Sequence, residues 1–296
     1  MHTLDEKAIT LIFNDNKKLE TEITPKTRIL LDKMRRLNAL SDNAFLPLLL
    51  SLFTIQLVGK QPYTTKELEG LLEYLERFGF LIYGVAGRDT AKNEWIELAF
   101  RAFQAYKEGE GNITIEDLPT LEKHFFKGEH SGLELLEENI HSKKNTEKWY
   151  KWDKALNYLL YEYELYHNPE TTLNFDGNIE SIEHILPQNP DQGYSAKEKN
   201  WAKNPHVVHA LGNLLLIPKN ANSSLSNKPF DEKRKEYLKG SYSEKEVAKN
   251  ASFGIIEIQE RSEKLLDFLI MRYNIAELVG ENAIKDFKNA LLKEIK

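Results

Sequence analysis

Glu183 and His184 stand side by side in residues 182–190, IEHILPQNP. A carboxylate and an imidazole are unexpected in an otherwise apolar, strand-like run, where a buried strand favours Val or Ile. Either the strand lies at a surface edge, or the pair holds a metal ion and a water. Further along, Asn213 opens a second apolar run, GNLLLIP, and Asn222 and Asn227 follow it. Carboxylate and amide oxygens suit a hard divalent cation such as Mg²⁺, which keeps several waters and takes phosphate oxygens to complete its shell. A neutral histidine beside the ion can take a proton from water as general base. The metal would stabilise charge developing on the phosphate and the leaving oxygen. Phosphodiester hydrolysis needs these parts. Each residue alone is weak: most Glu-His dipeptides are non-catalytic, and His206 and His209 serve equally as surface or packing residues. Neighbours on a strand also point to opposite faces. Glu183 and His184 share an ion only where the strand bends or ends, and Pro187 supplies such an end.

Periodicity supplies the elements that hold these residues. Residues 179–186 read as a strand, 211–217 as a second strand, 220–227 as a loop or the start of a helix, and 230–239 as a charged helix. A turn, FDGN at 175–178, precedes them, and residues 190–205 read as a polar loop. Ile258, Ser262, Leu265, Leu266, Leu269, Ile270 and Tyr273 trace a long amphipathic helix. The first half is helical. Ser41-Asp42-Asn43 offers an N-cap to a helix over 44–58. Thr64 and Glu67 form a capping box ahead of Leu68, Leu71, Leu72 and Leu75. Trp95, Leu98, Ala99 and Ala102 repeat that spacing, and 115–126 reads as another helix. An aromatic helix spans 149–166. Its rings suit either base stacking or packing of the two halves together, and their spacing favours packing. The fold class expected is α+β, mostly helical, with a boundary in the polar run HSKKNT at 141–146. That separates a helical region, 1–145, from a second domain, 146–296.

Composition narrows the function classes. The 296 residues include no cysteine, which excludes disulfides and thiolate zinc sites. The N-terminal residues lack the basic-then-apolar run of a signal peptide. The longest apolar stretch, 44–58, carries Pro47, Ser51, Thr54 and Gln56 and suits a buried helix, not a membrane span. The expectation is a cytoplasmic protein with no membrane partner. A formal net charge of −6 counts mildly against a dedicated nucleic-acid binder. Residues 195–250 are locally basic, with ten Lys and one Arg against six Asp or Glu.

The run from Glu183 to Gln188, then Gly212-Asn213-Leu214, then Asn222, resembles the HNH endonuclease motif on a ββα-metal fold, as also found in the RNA-guided CRISPR nuclease. The two asparagines are nine residues apart, as in that motif, and the 29 residues from His184 to Asn213 fit a loop insertion between the strands. The longer block IEHILPQ, then LGNLLLIPKNANSSLSNKPFDEKRKEYL, is similar to the C-terminal HNH domain of GmrSD-type (type IV, modification-dependent) restriction enzymes. The resemblance implies an N-terminal helical region followed by a ββα-metal nuclease core flanked by helices. It implies a metal-dependent DNA endonuclease of a phage-defence restriction system, acting on DNA, modified phage DNA included, with Mg²⁺ or Mn²⁺. Carried over by residue, His184 would be the general base and Asn213 would position it. Glu183 and Asn222, with Asn227 as the alternative, would hold the metal. Lys219, Lys228, Lys233, Arg234 and Lys235 would face phosphate. Complete enzymes of this kind carry a nucleotide-hydrolysing domain with an Asp-Gly-Gln-Gln-Arg type signature. Neither that run nor a Walker-type glycine loop occurs here, so the nucleotide-hydrolysing part is expected outside this chain, as an N-terminal domain or as a separately encoded subunit. Two other readings stand beside this one: a nucleic-acid-binding or partner-docking module with a vestigial site, and a nuclease acting on RNA.

Overall fold

The computed structural model describes residues 23–58, 61–170 and 180–296. The expected turn at 175–178, the strand start at Ile179 and the N-terminal residues 1–22 fall outside them. The chain divides into two units, Met1–Gly132 and Leu133–Lys296. The polar run at 141–146 lies within the second. The architecture is mostly helical, with one two-stranded antiparallel sheet among the described residues.

In the first unit, helices α1 (Pro25–Ser41) and α3 (Thr65–Phe78) pack together, as do α2 (Leu46–Val58) and α4 (Lys92–Glu108). Thr64 and Glu67 make the expected capping box at the start of α3. Phe45, Phe78, Tyr83 and Trp95 meet edge-to-face in the core. Two local expectations are corrected. Ser41-Asp42-Asn43 does not cap α2; it ends α1, with Asp42 and Asn43 both left-handed (φ 51° and 60°), a conformation that short polar side chains tolerate. The single helix expected over 115–126 is a 3₁₀ turn (Ile115–Asp117) followed by α5 (Leu121–Phe125). Pro119 lacks an N–H and disfavours helical backbone at Leu118, so the two cannot join.

In the second unit, α6 (Gly132–His141) leads to a 3₁₀ turn (Lys148–Trp152) and then α7 (Asp153–His167). The aromatic helix is thus two elements, broken where Asp153 takes φ 47°. Strand β1 (Glu180–His184) is followed by the short helices α8 (Ala196–Trp201) and α9 (Pro205–Val208). The expected polar loop therefore carries structure, and Ser195 and Glu198 form a capping box at α8. A 3₁₀ turn (Leu211–Asn213) leads into β2 (Leu214–Pro218), which pairs antiparallel with β1 so that His184 faces Leu214 and Glu180 faces Pro218. Residues 214–217 are all buried, so both faces of β2 are covered and its sequence is continuously apolar. Helices α10 (Lys219–Leu225), α11 (Phe230–Tyr237), α12 (Tyr242–Val247), α13 (Ile255–Arg272) and α14 (Ala276–Leu292) complete the unit. Helix α13 buries Ile258, Leu265, Leu266 and Leu269 and clamps the turn before β2. Arg261 Nη1 donates to the carbonyls of Gly212 (2.9 Å) and Leu214 (2.8 Å), and the Gly212 N–H donates to Ser262 Oγ at 2.8 Å. No helix among the described residues is long and apolar enough to cross a membrane.

Candidate functional site

Strand β1 stops at His184 because its pairing passes from backbone to a side chain. The Ile185 N–H still reaches the Asn213 carbonyl (3.0 Å). At Leu186 the Asn213 amide takes over: Oδ1 accepts from the Leu186 N–H (2.8 Å) and Nδ2 donates to the Leu186 carbonyl (2.9 Å). Nδ2 also donates to the Val208 carbonyl at 2.7 Å. Asn213 is fully buried, and only an amide presents an acceptor and two donors at once. It fixes Leu186, two residues beyond His184, and Val208, next to His209.

Those two histidines meet. His184 Nε2 lies 3.1 Å from His209 Nδ1, and Gln188 Nε2 lies 3.4 Å from His184 Nδ1. The Tyr150 ring stacks on His209 (5.7 Å, 22°) and lies 4.9 Å from the His184 ring. Exposure is 7% for His184 and 8% for His209. Burial, reinforced by His209 and Lys233, lowers the His184 pKa to about 3; burial also lowers that of His209. The His184 imidazole is therefore neutral at pH 7, and the same burial makes it a weaker base than a free imidazole.

This has a sign that stability can read. An unfolded imidazole takes a proton near pH 6.5, whereas folded His184 does not until about pH 3. Between those values the unfolded chain binds more protons, so stability falls as pH falls, by about 1.4 kcal/mol per pH unit for a full proton. Urea unfolding of wild type and His184→Gln between pH 6 and 4 is expected to show the shallower slope in the variant. Parallel slopes would contradict the shift.

Glu183 points the other way, as strand alternation requires. Its Oε1 accepts from Lys233 Nζ (2.5 Å) and from the Tyr237 hydroxyl (3.0 Å), both on α11. Lys233 is fully buried, which corrects its expected role as a surface, phosphate-facing cation. Burial pushes the Glu183 carboxyl up and the Lys233 ammonium down, and each charge opposes the other's shift. The signal was present in the sequence: Phe230, Lys233 and Tyr237 fall at i, i+3 and i+7, so Lys233 occupies the buried stripe of an otherwise charged helix. His209 likewise sits between Val207-Val208 and Ala210-Leu211, an apolar setting that marks a buried side chain.

Asn222, half-buried on α10, donates through Nδ2 to Ser181 Oγ (2.8 Å) and the Ile182 carbonyl (3.0 Å). The carbonyl fixes the amide orientation, since it can only accept. Asn227, Lys219, Lys228 and Lys235 are exposed. Arg234 is half-buried, with Nε on the Ala248 carbonyl at 2.8 Å. The expected metal donors thus do not converge on an ion. Glu183 already has a cation, it faces away from His184, and Asn222 turns its N–H groups to the strand. Among the described residues no group of three or more His, Cys, Asp or Glu gathers that could hold a metal.

Residues 136–268 match the protein-family profile described as GmrSD restriction endonucleases, C-terminal domain. The match includes both strands, the histidine pair and α10 to α12. No curated protein and no solved structure matches the chain.

Proposed function

We propose that this chain, which carries a GmrSD restriction endonuclease C-terminal domain, is a nuclease module that hydrolyses DNA phosphodiesters with His184 as general base. The observation that carries this reading is the placement of His184 at the end of β1, beside His209 and on a strand end anchored through Asn213. The order β1, β2, α10, with Asn222 tying α10 to β1, supports a ββα core of the HNH kind. In this reading His184 takes a proton from the attacking water, and Asn213 holds the strand end that presents the imidazole. The exposed Lys219, Lys228 and Lys235 would supply positive charge to the phosphate backbone. The divalent ion implied by the resemblance, Mg²⁺ or Mn²⁺, finds no ready place at Glu183, whose carboxylate is already paired with Lys233. The biological setting proposed is defence against invading DNA, modified phage DNA included, in the cytoplasm, with nucleotide hydrolysis supplied by a partner domain or subunit.

Plasmid cleavage with wild type and His184→Ala, in Mg²⁺, Mn²⁺ and EDTA, tests the reading. The variant is expected to lose about 10²–10⁴-fold in rate, the usual share of general acid–base catalysis. Equal rates would remove His184 from the mechanism. The second reading, a binding module with a vestigial site, is favoured by one observation: both imidazoles are almost wholly buried. Bound DNA without cleavage by either protein would support it. Matched RNA and DNA duplexes in the same assay separate a ribonuclease from a deoxyribonuclease.

A further inference from the structure

We infer that Lys233 is the resident cation of Glu183, occupying by covalent attachment the place a divalent ion would take, so that Glu183 is a structural acid and not a metal ligand. An ammonium has three N–H donors, and Lys233 Nζ has three acceptors: Glu183 Oε1 at 2.5 Å, the His184 carbonyl at 2.8 Å and the Ile185 carbonyl at 3.3 Å. The Tyr237 hydroxyl, one helical turn on, donates to the same carboxylate oxygen. Both side chains of the ion pair are out of solvent, at 0% and 4% exposure. Burying a lysine is costly unless it is paired and hydrogen-bonded, and here it is both.

A divalent ion on Glu183 would have to displace that ammonium. Lys233 would then sit beside a second positive charge with no route to water, and the carbonyls of His184 and Ile185 would lose their donor. The strand end is accordingly held from two sides, by Lys233 at the carbonyls of residues 184 and 185 and by the Asn213 amide at Leu186. The cation is built into α11, so the strand end that carries His184 is held without any metal.

Thermal unfolding of wild type, Glu183→Gln, Lys233→Met and the double variant tests this, each with and without Mn²⁺ and a DNA duplex. Lys233→Met is expected to lower the midpoint by about 10 °C, since it leaves a buried carboxylate unpaired. The double variant is expected to unfold above Lys233→Met, because removing both charges restores neutrality. Should Lys233→Met fail to fold, a folded double variant makes the same point. Mn²⁺ is expected to shift wild type and Glu183→Gln equally, whatever the size of the shift. A double variant no more stable than Lys233→Met, or a Mn²⁺ shift present in wild type and lost in Glu183→Gln, overturns the inference. Neither measurement reads cleavage, so this result stands apart from that of the nuclease assay.

Discussion

Gly212→Ala is expected to cost about 3 kcal/mol or more of stability, at the upper end of overpacking effects. The backbone of Gly212 is not left-handed, so dihedral strain is not the cause. The cause is proximity. A Cβ here would lie 2.0 Å from the Ile258 carbonyl oxygen, 2.6 Å from the Ser262 nitrogen and 2.7 Å from Ser262 Oγ. Two of those atoms belong to the backbone of α13 and cannot rotate aside. The turn would have to move off the helix, breaking the Gly212–Ser262 and Gly212–Arg261 hydrogen bonds. Asn213, the next residue, would move with it. Urea unfolding of the two proteins reads the difference directly. Adding Ser262→Gly is not expected to rescue the variant, because the Ile258 carbonyl remains. A Gly212→Ala protein as stable as wild type would show that α13 yields.

Local order was legible in the sequence where a single element carries its own signal. The apolar stripe of α13, the capping box at Thr64 and the two hydrophobic strands all follow from spacing within a few residues. What could not be read depends on partners far along the chain. Strand β1 ends at His184, and not at Leu186, because a side chain 27 residues later takes up the Leu186 backbone. The breaks at Pro119 and Asp153 divide helices that periodicity alone runs together.

The site divides in the same way. The residue types at 183, 184, 213 and 222 drew attention to this segment, but their pairing did not follow from type. Glu183 and His184 diverge because a straight strand separates neighbours, and each is then claimed by a different layer: α11 on one side, His209 and Tyr150 on the other. Charge count hid Lys233 among DEKRKE, where most side chains are solvated, although its position relative to Phe230 and Tyr237 marked it as inward-facing. His209 had no chemical context until α9 brought it to His184.

Asn213 concentrates these dependencies, and its loss is expected to be the most damaging to the site. Asn213→Ala would leave the Leu186 N–H, the Leu186 carbonyl and the Val208 carbonyl unpaired where no water reaches. At about 1–3 kcal/mol for each unsatisfied group, a loss of roughly 3–6 kcal/mol follows, allowing for partial relaxation. Asn213→Asp is the sharper probe. It keeps an acceptor for the Leu186 N–H but sets a carboxylate oxygen against two carbonyls, so at pH 7 it is expected to be no more stable than the alanine variant. As pH falls and the new carboxyl takes up a proton, it gains one donor, and the aspartate variant should then unfold after the alanine variant. Because Leu186 and Val208 flank the two histidines, the imidazole signals of His184 and His209 are expected to shift together in NMR spectra of any folded Asn213 variant. Signals that stay at their wild-type positions in Asn213→Ala would mean that the histidine pair is held by its own contacts with Tyr150 and Gln188, and not through the buried amide.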